Sequence, residues 1–193
     1  MTWQPHIRHL LSKLSRTIGI LYRTRYYLNT QSLYLILHSL FFSHIKYGIL
    51  CWARACKTAI RPVVVLFNRA ICCIHFLHSK ENKTHILVRN KLLQIHELFK
   101  LELGKFMFNF SKGNLPHNFN KYFQRTHTVH KHNTRSSTHD FFLPRKHKTK
   151  GLKSLEYLGA KLWLEIPDCL KDLSQISNFS FKYKQFLINN NYG

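Results

Sequence analysis

Between His6 and Tyr22 the apolar residues Ile7, Leu10, Leu11, Leu14, Ile18 and Leu21 recur every three or four positions, leaving Arg8, Lys13 and Arg16 on the other faces. That period predicts an amphipathic α-helix with one stripe for a core. A second helix is predicted from Gln31 to about Trp52, capped by Thr30. Leu33, Ile36, Leu37, Leu40, Phe41, His44 and Ile45 recur along one side of it, and Gly48 weakens its last turn. Pro62 suits the first turn of a third helix, Val63 to about Leu77, which is apolar on most sides and therefore central. A fourth runs from Ile95 to about Phe110 and stops at Lys112-Gly113.

Periodicity then lapses from Ser111 until Phe141-Phe142-Leu143-Pro144. Ser154 to Pro167, with Leu155, Tyr157, Leu162 and Trp163 around Gly159, predicts a short hairpin or an extended turn. Phe179, Tyr183, Phe186 and Leu187 share a face of a final helix. The expected fold is mainly α: a helical bundle over residues 1–110, a basic and partly disordered connector over 111–153, and a small hairpin-plus-helix segment over 154–193. No internal repeat is present.

Charge changes this picture more than any motif does. Thirty lysines and arginines stand against eight acids, a net charge of +22, and the stretch from Met1 to Lys80 holds eleven bases and no carboxylate. Such a field concentrates phosphate-bearing partners near the chain. Two-metal phosphoryl transfer needs clustered carboxylates, which the first eighty residues do not supply. Seven glycines and five prolines among 45% hydrophobic residues argue against wholesale disorder. Five cysteines without a CxxC pair, Cys51, Cys56, Cys72, Cys73 and Cys169, fit a reducing compartment and are expected as core thiols. The first residues lack the apolar core of a secretory signal, so a cytoplasmic or nuclear protein is expected. Leu33 to Leu50 and Val63 to Leu77 are each interrupted by polar residues and fall short of the roughly 18–20 uninterrupted apolar residues a span needs.

Candidate chemistry is sparse. His127, His130, His132, His139 and His147 crowd together without the paired spacing or nearby thiols of a structural zinc site, so no metal is expected. Glu97 with Glu102, and Asp168 with Asp172, read as surface or helix-dipole charges rather than as an acid–base pair. There is no Gly-rich phosphate loop, and no catalytic residue or cofactor is assigned. The basic residues remain. Arg8, Lys13, Arg16, Arg23 and Arg25 are interleaved with Trp3, Tyr22, Tyr26 and Tyr27, a mixture that neutralises phosphates and stacks on unpaired bases. Arg69 adds to these, and Lys131, Arg135, Arg145, Lys146, Lys148 and Lys150 carry the same potential in the connector. The expected partner is RNA or DNA bound without sequence preference. The alternative is a basic amphipathic protein lying on anionic membranes through the Leu33 to Leu77 region.

Several phrases, in order, carry a resemblance. They are Thr2-Trp3-Gln4-Pro5-His6-Ile7, Lys13-Leu14-Ser15-Arg16-Thr17-Ile18-Gly19-Ile20-Leu21, Leu33-Tyr34, Tyr47-Gly48-Ile49-Leu50-Cys51-Trp52, and Leu66-Phe67-Asn68-Arg69-Ala70-Ile71. Leu115-Pro116 with Phe119, Asn133-Thr134-Arg135-Ser136-Ser137, Gly159-Ala160-Lys161-Leu162-Trp163 with Ile166-Pro167, and Phe181-Lys182-Tyr183-Lys184 follow. Together the chain resembles the region just after the polymerase core in non-LTR retrotransposon (LINE-type, jockey-like) reverse transcriptases. The resemblance implies a thumb-like helical segment and a C-terminal portion that grips template RNA and target DNA. It also implies a truncated copy, because the palm with its paired aspartates would lie upstream of Met1 and no two acids are adjacent here. Phe67, Cys72 and Leu164 depart from the polar Gln, the Arg and the Asn that the family pattern favours.

Overall fold

Ile7, Leu10, Leu14, Ile18 and Leu21 are all buried in the computed structural model, on a helix α1 that runs Gln4–Thr24. The structure describes residues 3–78, 81–126 and 141–192. Pro5, in the first turn of α1, has its backbone preset for the helix and lacks an N–H where none is needed. The fold is mainly helical, as the periodicity predicts, and it comprises two compact units, Met1–Phe99 and Lys100–Asn191.

In the first unit, α2 (Thr30–Ile36) is capped by Asn29 rather than by Thr30: the Asn29 side-chain oxygen accepts the Ser32 N–H at 2.8 Å. The helix continues through a π-helical segment, Leu37–Phe42, into α3 (Ser43–Lys46). This widened turn corrects the expected stripe. Leu40, placed inside by a strict helical period, is exposed, while the consecutive Phe41 and Phe42 are both buried and meet Phe67 at ring-centroid distances of 6.3 and 5.8 Å. Gly48, left-handed at φ +60°, then breaks the rod before α4 (Ile49–Trp52). Trp52 is fully buried and donates its Nε1–H to the Tyr47 carbonyl at 3.1 Å.

The third predicted helix starts earlier than expected. α5 spans Lys57–His75 with Pro62 inside it rather than in its first turn. Proline withholds the N–H that would bond to the carbonyl of Thr58, and Thr58 and Pro62 are both exposed, so water can serve that carbonyl. Val63, Phe67, Ala70, Ile71 and Ile74 are buried, and α5 packs along α1. At roughly 1.5–3 kcal/mol for each large apolar side chain buried, this packing dominates the unit. Cys72 and Cys73 are core thiols, but Cys51, Cys56 and Cys169 are exposed, against expectation. Cys51 sits on a single helical turn whose inward place is taken by Trp52, and Cys56 precedes α5 as its N-cap. After α6 (Thr84–Arg89), α7 runs Ile95–Ser111, close to the predicted span.

The second unit is organised by rings. Phe108 of α7 stacks on Phe179 at 4.5 Å, Phe179 on Tyr183 at 5.4 Å, and Trp163 meets Phe141 at 5.9 Å. Phe123 and Phe141, both inside the expected connector, are buried here, 5.8 Å apart and beside the antiparallel bridge of Arg125 with Phe141. Part of that segment therefore contributes to the core, through these two rings, while the rest of its described residues are exposed or half-buried. A short helix α8 (Thr149–Leu152) precedes α9 (Leu155–Glu165), which replaces the hairpin expected around Gly159. Ser154 caps α9 by accepting the Tyr157 N–H at 3.2 Å, with Glu156 in the first turn. Gly159 marks a close approach rather than a turn, since an added Cβ would lie 2.7 Å from Met107 Sδ. α10 (Asp168–Lys171) and α11 (Ile176–Tyr192) follow, with Phe179, Tyr183 and Leu187 buried along α11 as predicted.

Two glycine substitutions are expected to have opposite signs. Gly19 of α1 has open space around an added Cβ, so Gly19→Ala should stabilise by about 0.5–1 kcal/mol through helix propensity. Gly104 of α7 would place a Cβ 2.5 Å from Cε1 of the buried Tyr183 ring, so overpacking should outweigh the same gain and leave Gly104→Ala destabilised by about 1–2 kcal/mol. Urea unfolding midpoints, above wild type for the first and below it for the second, check both.

Candidate nucleic-acid interface

Burial of one stripe of α1 fixes where its cations point. Arg8, Arg16 and Arg23 are exposed, while Lys13 is half-buried. Arg16 and Arg23 are two helical turns apart, on the same side and roughly 10 Å from each other along the axis. Arg8 lies nearer the α5 edge, where it lines a shallow cavity with Ile7, Leu11 and Thr58.

Arg25, just past the last turn of α1, is held on three sides. Its guanidinium carbon lies 4.1 Å from the Tyr22 ring centroid and 4.7 Å from those of Tyr26 and Phe76, and Nη2 donates to Tyr26 Oη at 2.6 Å. These distances bring the cation within reach of the negative face of each ring. Phe76 ends α5 in a left-handed conformation, φ +54°, a geometry that disfavours a side chain by roughly 1–2 kcal/mol. Its contacts with Arg25 and with the Tyr26 ring, 5.4 Å away, offset that strain. Tyr26 itself is 67% exposed. One donor of the cluster is left over: the Nε–H of Arg25 is shielded from water and has no hydrogen-bond partner among the described residues. A donor in that state has given up its hydration without recovering a bond.

Arg69, exposed on α5, comes to the same place. Arg25, Arg69 and Lys83 line one cavity of about 430 Å³, together with Tyr22, Asn68 and the apolar Ile18, Val65 and Leu77. Among the described residues, no carboxylate lines it. Cys72 and Cys73 form part of the wall. Burial pushes the Cys73 thiol above its ordinary value, and Arg25 and Arg69 pull the other way without overcoming it. Lys83 and Asn68 carry no signal in the sequence that marks them for this site. Asn68 precedes Arg69 on a helix whose turn carries both to the cavity, which i, i+1 spacing alone does not reveal.

Among the described residues, those predicted for the second unit form no such cluster. Arg145 and Lys148 are exposed, and Lys146 is half-buried with its Nζ 3.6 Å from the Glu156 carboxylate. Lys131 and Arg135 lie outside the described residues, as do His127, His130, His132 and His139. Among the described residues no group of three or more His, Cys, Asp or Glu could hold a metal ion.

A second cavity of the first unit, about 460 Å³, is lined by His75, His85, Arg89 and Thr30 among others. Tyr34 Oη and His75 Nε2 are 2.6 Å apart, and burial pushes the Tyr34 phenol up to about 12. His75 is held below its ordinary value, first by burial and then by repulsion from His85 and Arg89.

In comparison with known proteins, no family model, no curated protein and no solved structure matches the chain.

The His75 geometry makes a stability prediction. Because the folded state resists protonating His75, the unfolded chain takes up that proton first, and stability is complete above the unfolded value and falls as pH drops through it. Between about pH 7.5 and about pH 5.5, wild type should lose more unfolding free energy than His75→Gln does. Denaturant melts of the two proteins at both values measure the difference; equal losses would show that His75 titrates alike folded and unfolded.

Proposed function

We propose that the chain is a non-catalytic, nucleic-acid-binding segment that holds RNA or DNA by sequence-tolerant phosphate contacts. The observation that carries this reading is the exposed row of Arg16 and Arg23 on α1, leading to Arg25 and Arg69 beside exposed Tyr22 and Tyr26, in a stretch with no acid. Guanidinium groups bind phosphate oxygens through paired donors, and tyrosine rings stack on bases of any identity. The resemblance to the region after the palm of non-LTR retrotransposon reverse transcriptases supports the same role, that of gripping a strand without performing chemistry on it.

One observation favours a second reading, peripheral association with anionic membranes. α5 is by length and composition apolar enough to cross a membrane, and Val65 on it is exposed. Its buried residues are committed to α1 and the π-helical segment, which is why the nucleic-acid reading is preferred.

Filter binding to single-stranded RNA over a salt series tests the proposal. Affinity at moderate salt should be on the order of 10⁻⁴ to 10⁻⁶ M and should weaken steeply as salt rises. Replacing both Arg16 and Arg23 by Gln should flatten the slope of log affinity against log salt by about 0.7 for each phosphate that is no longer neutralised. Salt-independent binding, or none at low salt, sinks the reading. Flotation with anionic vesicles that persists in high salt and resists competition by RNA would establish the membrane alternative instead.

A further inference from the structure

The cavity shared by Arg25, Arg69 and Lys83 offers more than positive charge. We infer that it is a binding site for one nucleoside monophosphate unit, with the phosphate taken by the three cations and the base set against Ile18 and Val65 beside Asn68. The inference builds on the nucleic-acid reading and narrows it, from a basic face that any strand can touch to one place that can seat a single nucleotide.

Charge selects the ligand's sign. Three cations reach the cavity from three parts of the chain, the end of α1, the middle of α5 and the segment before α6, and among the described residues no carboxylate lines it. The first acid of the chain, Glu81, is engaged nearby through its side chain, which accepts the His78 N–H at 2.8 Å, and its carbonyl oxygen accepts from Lys83 Nζ at 2.8 Å. Size and lining then favour an organic phosphate over a bare anion. A volume of about 430 Å³ lies in the range of sites for small organic ligands, roughly 300–1,000 Å³. Ile18, Val65 and Leu77 give it an apolar wall suited to the face of a base. The Asn68 amide offers one acceptor and two donors, the complement of a base edge.

Preorganisation supplies the remaining argument. Arg25 is fixed by Tyr22, Tyr26 and Phe76 before any ligand arrives, and Phe76 keeps a left-handed backbone in doing so. Backbone strain of this kind gathers at ligand sites, where a group must be held in place beforehand.

The cavity carries its own reporters, since Cys72 and Cys73 line it while Cys51, Cys56 and Cys169 are exposed elsewhere. The experiment measures alkylation of each cysteine by peptide mass spectrometry on the full chain, with AMP, with inorganic phosphate at equal concentration, and with neither. AMP is expected to slow modification of Cys72 and Cys73 while leaving Cys169 unchanged, and inorganic phosphate to protect far less. Arg69→Gln should raise the AMP concentration for half-protection about tenfold or more, and Arg69→Lys should raise it less, because the charge is retained. Arg69 is exposed, so neither change disturbs the core, and the wild-type measurement needs no variant at all. Three outcomes overturn the inference: no protection by AMP, equal protection by inorganic phosphate, or wild-type protection in Arg69→Gln. If the filter assay shows strand binding without AMP protection, the cavity assignment alone fails. AMP protection without strand binding upholds the cavity and removes the wider reading.

Discussion

Packing of α1 along α5 is the interaction from which the first unit takes its shape. Leu10, Leu14, Ile18 and Leu21 on one helix, with Val63, Phe67, Ala70 and Ile71 on the other, must leave water together. Because each helix has a single stripe to bury, its rotation about its own axis is fixed, and so are the directions in which its arginines point. Arg16 and Arg23 face solvent for this reason, and Arg25 and Arg69 share a cavity although forty-four positions separate them. Electrostatic repulsion within so basic a unit opposes this arrangement. Apolar burial outweighs it because exposed like charges at such separations are screened by water and salt.

Arg25 shows how a charged group is kept in place without an acid. The absence of carboxylates from the first eighty residues means that no salt bridge from that stretch can hold it, and the faces of Tyr22, Tyr26 and Phe76 do so instead. Cation–π contacts hold the guanidinium without neutralising it. A carboxylate partner would hold it too, but would also compete with any incoming phosphate. The aromatic mounting thus fits a residue that keeps its charge available to a ligand, and it accounts for a phenylalanine enduring a left-handed helix end.

The second unit solves a different problem with the same residue types. Its basic residues are sparsely balanced by acids, and its core is a set of contacting rings, Phe108, Phe179, Tyr183, Trp163, Phe141 and Phe123. Large flat side chains bury much area for each residue ordered. Close approach of backbones is then needed, and Gly104 and Gly159 provide it beneath Tyr183 and beside Met107.

The amphipathic stripe of α1, the span of α7 and the buried face of α11 were legible in the chain, because a period of three to four apolar residues leaves a helix one way to bury its face. The overall charge, and hence the class of partner proposed, is likewise a property of composition alone. Other features depend on distant neighbours. A π-helical turn that brings Phe42 inward and Leu40 outward is decided by Phe67, far along the chain. A helix through Gly159 is decided by Met107 and Phe123, which need the space a side chain would fill. The cavity belongs to this second kind: Arg25, Asn68, Arg69 and Lys83 carry no common motif, and only the burial of α1 against α5 makes them neighbours. Periodicity and charge are local sums that sequence contains in full, whereas which cations converge on one space is fixed by packing between segments far apart in the chain.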